Sequence, residues 1–165
     1  MNAFLRLILT AIHGLLRLGW FVRRPRTHGA HALAFTPDGK LILVKLRYAA
    51  GWRLPGGGRA ADEGPRDAVL RELREEIGLT AHGEIRVAAE IEQRPHAKRD
   101  LASLLVVRDV SYRPHRWSWE VEAIAEHALD DLPADMAPVA LEWLRAVEPA
   151  ISRGDPGSTN HGPAA

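Results

Sequence analysis

The feature that most constrains the fold is a glycine run followed by a short helix with two different faces. Residues 55–58, Pro-Gly-Gly-Gly, can bend sharply and bring bare backbone close to a ligand or ion. Pro65 suits a first helical turn and Gly78 a helix end, so the spacing predicts a helix between them. One face of this helix is apolar, formed by Ala68, Val69, Leu70, Leu73 and Ile77. The other face is acidic.

The acidic face carries Glu72, Glu75 and Glu76, with Arg71 beside them. Residues three and four apart share a helix face, so the spacing predicts three carboxylates close together. Like charges repel there, and a hard divalent cation that prefers oxygen ligands would relieve the repulsion. Mg²⁺ is the natural candidate, with Mn²⁺ as a substitute, in an open catalytic site that also binds substrate phosphates. A solvated surface face is the alternative interpretation of the glutamates alone.

Nine residues form a longer pattern at fixed spacing: Gly57, Glu63, Arg71, Glu72, Leu73, Glu75, Glu76, Gly78 and Leu79. This pattern resembles the Nudix box. The resemblance implies an α/β (α+β) fold class, with a Nudix-type α/β/α sandwich and a mixed β-sheet. It also implies a hydrolase domain, which we expect to span residues 27–152.

The same resemblance implies roles for individual residues. In that family the glutamates matching Glu72, Glu75 and Glu76 coordinate magnesium, the one matching Glu72 is also discussed as a base, and the backbone carbonyl at Gly56 can join the metal shell. The residues matching Arg71 and Glu63 look like supports that orient the carboxylates. Gly57 and Gly78 are supporting positions of the box.

Many Nudix enzymes have one more acidic residue from a later strand or loop. Glu120 is the best candidate for it here. The competitors are Glu122, Glu126, Glu92 and Asp100. An exposed strand residue without a catalytic role is the alternative interpretation of Glu120.

The expected reaction is cleavage of a diphosphate bond in a nucleoside diphosphate linked to another group. ADP-ribose-like compounds, nucleotide sugars and nucleoside triphosphates, including oxidised ones, stay open as substrates. The expected phosphate contacts are the basic side chains Arg94, His96, Lys98 and Arg99. The aromatic residues that could stack on a base are Trp52, Tyr48, Trp117 and Trp119. A non-catalytic Nudix domain that senses a nucleotide is the alternative function.

Residues 1–26 are predicted to form an amphipathic basic helix outside the hydrolase domain. Arg6, His13 and Arg17 interrupt its apolar run, which argues against a membrane span or a signal peptide. The helix could pack on the domain, on a partner subunit in a homodimer, or on anionic lipid through residues 3–24. Residues 153–165 are expected to be a disordered tail.

The rest of the chain alternates β-rich and helical patterns. Residues 30–36 and 41–48 flank Pro-Asp-Gly-Lys and predict a hairpin, and Trp52–Leu54 predicts a short strand. Further strands are expected at residues 84–92, 101–110 and 117–129, and a second helix at Asp135–Ile151. There is no cysteine, which excludes disulfides, thiolate zinc sites and a cysteine nucleophile. With 22 Lys and Arg against 21 Asp and Glu, no nucleic-acid partner is expected. The chain fits a cytoplasmic enzyme, with association of the N-terminal helix with a membrane as the alternative.

Overall fold

The computed structural model describes residues 28–60, 62–93 and 100–152. The predicted N-terminal helix and C-terminal tail lie outside these residues. Nine strands occur within the described part of the chain: β1 His28–Ala34, β2 Leu41–Leu46, β3 Ala49–Arg53, β4 Gly56–Gly58, β5 Leu79–Ala81, β6 Ile85–Gln93, β7 Asp100–Val107, β8 Ser111–Tyr112 and β9 Val121–His127. Two helices are described with them, α1 Pro65–Glu76 and α2 Pro138–Ser152. Neither described helix is long and apolar enough to cross a bilayer.

The strands form three sheets. The four-stranded sheet has the order β4-β1-β7-β6, in which β1 and β7 are parallel and the other neighbours are antiparallel. The second sheet, β3-β2-β9, is antiparallel, and β5 and β8 form a small ribbon. The expectation of a mixed sheet is therefore confirmed.

The helices lie on opposite faces of these sheets. Alternate residues of β1 point to opposite sides, so that Ala32 packs in a core with Val69 and Leu73 of α1. Leu33 packs in the other core with Trp143 and other residues of α2. Two apolar cores separated by sheet give an α/β/α sandwich, as expected from the resemblance.

The predicted hairpin between residues 30–36 and 41–48 is wrong, although its turn is present. Thr36 and Lys40 close the turn with a 2.9 Å backbone hydrogen bond, but β1 and β2 lie in different sheets and only Phe35 and Leu41 pair between them. Both hydrogen-bonding edges of β1 are already taken, one by β4 and one by β7. No edge is left for β2, which pairs with β3 and β9 instead.

Other boundaries also differ from the sequence prediction. The strand expected at residues 117–129 is limited to β9, because residues 113–120 form an irregular loop in front of it. The strand expected at Trp52–Leu54 runs instead from Ala49 to Arg53, and the glycine run is itself the short strand β4. The ribbon of β5 and β8 was not predicted, since strands of two or three residues carry too little pattern to recognise.

Candidate active site

The glycine run is held against β1 and lies beside the glutamates of α1. Gly56 has a φ of +142°, and a Cβ there would lie 2.4 Å from the carbonyl oxygen of Ala30, so only glycine fits. A Cβ on Gly57 would lie 2.8 Å from Oε1 of Glu72. The backbone N–H of Gly56 donates a 2.8 Å hydrogen bond to Oε2 of Glu76. The bare backbone of the run therefore meets the carboxylates directly.

Helix α1 turns two of its glutamates towards the protein interior. Glu72 and Glu76, four residues apart, are only 7% and 5% exposed. They share the buried side of the helix with Ala68, Val69 and Leu73, whereas Glu75 lies on the exposed side. The helix thus places two of the three carboxylates in the interior and the third at the surface.

Burial and neighbouring negative charges both raise the pKa values of the two buried carboxyls. Burial raises the pKa of Glu72 above its usual value, and hydrogen bonding to Arg71 opposes this effect. The pKa of Glu76 is raised well above its usual value, first by burial and then by the charge of Glu72. The negative charges of Glu75 and Glu120 add to the effect at both residues. The cluster therefore concentrates negative charge where water screens it poorly.

Arg71 links the cluster to the loop in front of the helix. Its guanidinium donates to both carboxylate oxygens of Glu63, at 2.8 and 3.1 Å, and to the carbonyl oxygen of Gly58 at 3.0 Å. A further hydrogen bond of 2.6 Å reaches Oε1 of Glu72. Glu63 in turn accepts a hydrogen bond from the backbone N–H of Ala60 at 3.0 Å. Arg71 and Glu63 thereby fix the orientation of the Glu72 carboxylate.

Glu120 approaches this cluster from the other sheet. It immediately precedes β9, and its carbonyl oxygen accepts a 2.9 Å hydrogen bond from the backbone N–H of Arg47, just after β2. The hydroxyl of Tyr48 donates to the Glu120 carboxylate. Besides Glu75, Glu120 is the acidic residue whose charge raises the pKa of both Glu72 and Glu76. The pairing of β2 with β9 therefore brings it into the electrostatic environment of α1.

The chemistry of these groups fits a hard divalent cation. All the side-chain ligands on offer are carboxylate oxygens, and a bound cation would offset the repulsion between Glu72 and Glu76. Across residues 28–60, 62–93 and 100–152, no three His, Asp or Glu side chains stand close enough to enclose a metal ion by themselves. The cluster is thus suited to an ion that takes further ligands from backbone, water or substrate phosphates, as Mg²⁺ does.

The family model described as the NUDIX domain matches residues 25–147. The chain belongs to the Nudix family. The Nudix fold extends from the box to the surrounding sheets and α2, as the likeness to solved structures shows. The MutT NUDIX hydrolase from Burkholderia pseudomallei superposes with a TM-score of 0.63 at 28% identity, covering 73% of this chain and 97% of that one. An ADP-ribose pyrophosphatase from Streptococcus suis superposes with a TM-score of 0.54 at 25% identity, covering 76% and 92%.

Curated Nudix relatives match over a shorter stretch. An RNA pyrophosphohydrolase of Acidiphilium cryptum is 48% identical over 63 residues, which is 34% of this chain and 38% of that protein. One of Hydrogenovibrio crunogenus is 48% identical over 42 residues, 26% of each chain. The alignments thus span between about a quarter and two-fifths of these relatives.

The competitors of Glu120 lie elsewhere in the Nudix fold. Glu122 is exposed on β9, Glu92 is exposed on β6, and Glu126, near the other end of β9, accepts a 2.9 Å hydrogen bond from Tyr112. Only the backbone of Asp100 is described. Arg94, His96, Lys98 and Arg99 lie outside the described residues, so their predicted contact with substrate stays a prediction.

Two arginines beside the glycine run were missed from the sequence. Arg53 ends β3 and Arg59 follows β4, and the Nε–H of each is buried with no hydrogen-bond acceptor among the described residues. A buried guanidinium N–H usually has a partner, so these two groups are candidates to bind an anion. Their position on either side of residues 55–58 was the available signal. The sequence instead favoured the basic side chains of residues 94–99 as phosphate contacts.

Proposed function

We propose that the chain is a Mg²⁺-dependent hydrolase that cleaves a diphosphate bond in a nucleoside diphosphate linked to another group. The supporting observation is the burial of Glu72 and Glu76 side by side, with the charges of Glu75 and Glu120 acting on both. Burying like charges destabilises a fold unless a cation or ligand offsets the repulsion. Such an arrangement is typical of a functional site.

Different residues would have different roles in the hydrolysis. Glu72, Glu75 and Glu76 would hold the metal ion, and the backbone carbonyl of Gly56 would be a further ligand. A bound Mg²⁺ would supply positive charge to the diphosphate oxygens and lower the pKa of an attacking water. Glu120, half-exposed and held by Tyr48, would accept the proton of the attacking water. Arg71 and Glu63 keep the Glu72 carboxylate in position.

Basic side chains would bind the phosphate oxygens that do not contact the metal ion. Arg53 and Arg59, whose Nε–H groups have no acceptor among the described residues, suit a phosphate oxygen beside the glycine run. Arg94, His96, Lys98 and Arg99 would contact the substrate from the loop between β6 and β7. Replacing Arg59 with Gln is expected to raise KM more than it lowers kcat.

The substrate stays open within this class. The relatives and structural neighbours include a MutT hydrolase, an ADP-ribose pyrophosphatase and an RNA pyrophosphohydrolase, which are named for different activities. ADP-ribose-like compounds, nucleotide sugars and nucleoside triphosphates are therefore all to be tested. Mn²⁺, which accepts the same ligands, is expected to replace Mg²⁺.

Phosphate release across a substrate panel tests the proposal. The panel comprises nucleoside triphosphates, ADP-ribose, NADH, dinucleoside polyphosphates and nucleotide sugars, each with and without Mg²⁺ and with phosphatase to reveal masked products. The full chain is expected to hydrolyse at least one of these only when the cation is present.

Glu75→Gln should lower kcat by about 100-fold or more while leaving the fold intact. Glu122→Gln, a change of an exposed glutamate on β9, is the matched control and should retain the rate of the unchanged chain. Near-normal hydrolysis by Glu75→Gln would remove Glu75 from the catalytic set. Nucleotide binding without turnover on any substrate would instead favour a sensor domain.

A further inference from the structure

Two tryptophans in the loop before β9 are open to solvent. Trp117 is 57% exposed and Trp119 is 63% exposed, although an indole ring is normally packed over most of its surface. Their ring centroids are 4.0 Å apart with the planes at 77°, so one ring meets the other edge to face. Two large apolar rings exposed side by side are a candidate binding surface.

The backbone that carries the two rings is held in place. The side chain of Arg47 donates a 3.2 Å hydrogen bond from Nε to the carbonyl oxygen of Ser118, between the tryptophans. The hydroxyl of Ser118 accepts from the backbone N–H groups of Val121 and Glu120, at 3.0 and 3.3 Å. The pair therefore stands on an anchored loop, which lowers the ordering cost of binding a ligand.

The same loop ends at the acidic cluster. Trp119 directly precedes Glu120, whose carboxylate is held by Tyr48 and whose charge acts on Glu72 and Glu76. Arg116, exposed and adjacent to Trp117, adds a positive charge to the loop. With a cation held at the cluster, a ligand that spans this surface would need an anionic end there and a planar aromatic end at the rings.

We propose that Trp117 and Trp119 form the stacking surface for the nucleobase of the substrate, whose diphosphate lies at the Glu72 and Glu76 cluster. The inference rests on the proposed function and assigns recognition of the substrate's base to these two residues. Every nucleobase has a flat face that stacks on an aromatic ring, so the pair selects for the presence of a base more than for its identity.

A matched pair of ligands that resist hydrolysis tests this inference by calorimetry in Mg²⁺. One ligand is α,β-methylene-ADP and the other is methylenediphosphonate, which has the same bridged phosphorus atoms but no nucleoside. The variants are Trp117→Ala with Trp119→Ala, the same two positions changed to Phe, and Val87→Ala as a control. Val87 is another exposed large apolar residue, 52% exposed on β6.

The unchanged chain should bind the nucleotide analogue about 10-fold or more tightly than methylenediphosphonate. The double alanine variant should lose that difference while keeping its affinity for methylenediphosphonate. The double phenylalanine variant should retain most of it, and Val87→Ala should behave as the unchanged chain. The nucleotide analogue should also quench tryptophan fluorescence in the unchanged chain.

Equal affinities of the unchanged chain for the two ligands would overturn the inference, and so would full nucleotide affinity in the double alanine variant. If that variant instead changes the oligomeric state in ultracentrifugation without losing nucleotide affinity, the rings belong to a contact between copies and the inference is wrong. Failure of the proposed function is distinct, because it appears as no cation-dependent phosphate release from any member of the panel.

Discussion

The phenol of Tyr48 donates a hydrogen bond to the carboxylate of Glu120, a residue 72 positions later in the chain. Tyr48 follows β2 and Glu120 precedes β9, so the antiparallel pairing of these strands brings the two side chains together. The neighbouring backbone bond from Arg47 to Glu120 reinforces the contact. Tyr48 is therefore a positioning residue for the proposed catalytic Glu120.

Tyr48→Phe should lower kcat by about 10-fold with little change in KM, because a lost hydrogen bond to a charged group misplaces the carboxylate. The matched control is Tyr112→Phe, which removes a similar 2.9 Å hydrogen bond to Glu126. Steady-state kinetics on the best substrate of the panel compare the two variants. Equal effects of the two changes would show that the Tyr48 contact only supports the fold.

Gly57→Ala should reduce kcat by about 100-fold while the protein stays folded. The added Cβ would come within 2.8 Å of Oε1 and 2.9 Å of Cδ of Glu72, so that carboxylate has to move from its place beside Arg71. Gly39→Ala provides the contrast, since Gly39 has a φ of +83° and open space around it. It should cost about 1–2 kcal/mol in unfolding free energy and leave kcat unchanged. A normal kcat in Gly57→Ala, together with a lowered kcat in Gly39→Ala, would contradict this role of Gly57.

Glu76→Gln should make the metal-free protein more stable. Glu76 is 5% exposed beside Glu72, and burial followed by that charge raises its pKa well above the usual value. Glutamine removes the buried charge and still accepts the hydrogen bond from Gly56. The melting temperature without divalent cations should rise by about 3 °C, and the further rise on adding Mg²⁺ should shrink. An unchanged response to Mg²⁺ in a thermal scan would exclude Glu76 as a ligand.

Asp38 should give the turn after β1 an acid-sensitive contribution to stability. Its hydrogen bond from Thr36, followed by that from Lys40, lowers the pKa of Asp38 from 3.8 to about 2. Since the folded state favours the charged form, the contribution is present above pH 4 and is lost as the pH falls towards 2. Urea denaturation should therefore show that the unchanged chain has a higher free energy of unfolding than Asp38→Asn above pH 4. This difference should become smaller as the pH falls towards 2. Asp130→Asn, which changes another exposed aspartate, should show no such narrowing.

The sequence predicted the local elements of the fold more accurately than their pairing. Helix α1 was expected between Pro65 and Gly78 and runs from Pro65 to Glu76, because caps and apolar spacing act within a few residues. The prediction that β1 and β2 form a hairpin was wrong. Turn residues determine where the chain reverses, but they do not determine which neighbouring strand pairs with each edge. That choice depended on β4 and β7, which are distant in sequence and compete for the edges of β1.

For the site, the sequence by itself determined the family and the spacing of the box glutamates on one helix, because a helix repeats every few residues whatever surrounds it. Only the tertiary structure decided that Glu72 and Glu76 are buried while Glu75 is exposed, and that Tyr48 holds Glu120. Burial and long-range contacts depend on how β4, α1 and the second sheet pack together, and no local pattern contains that information.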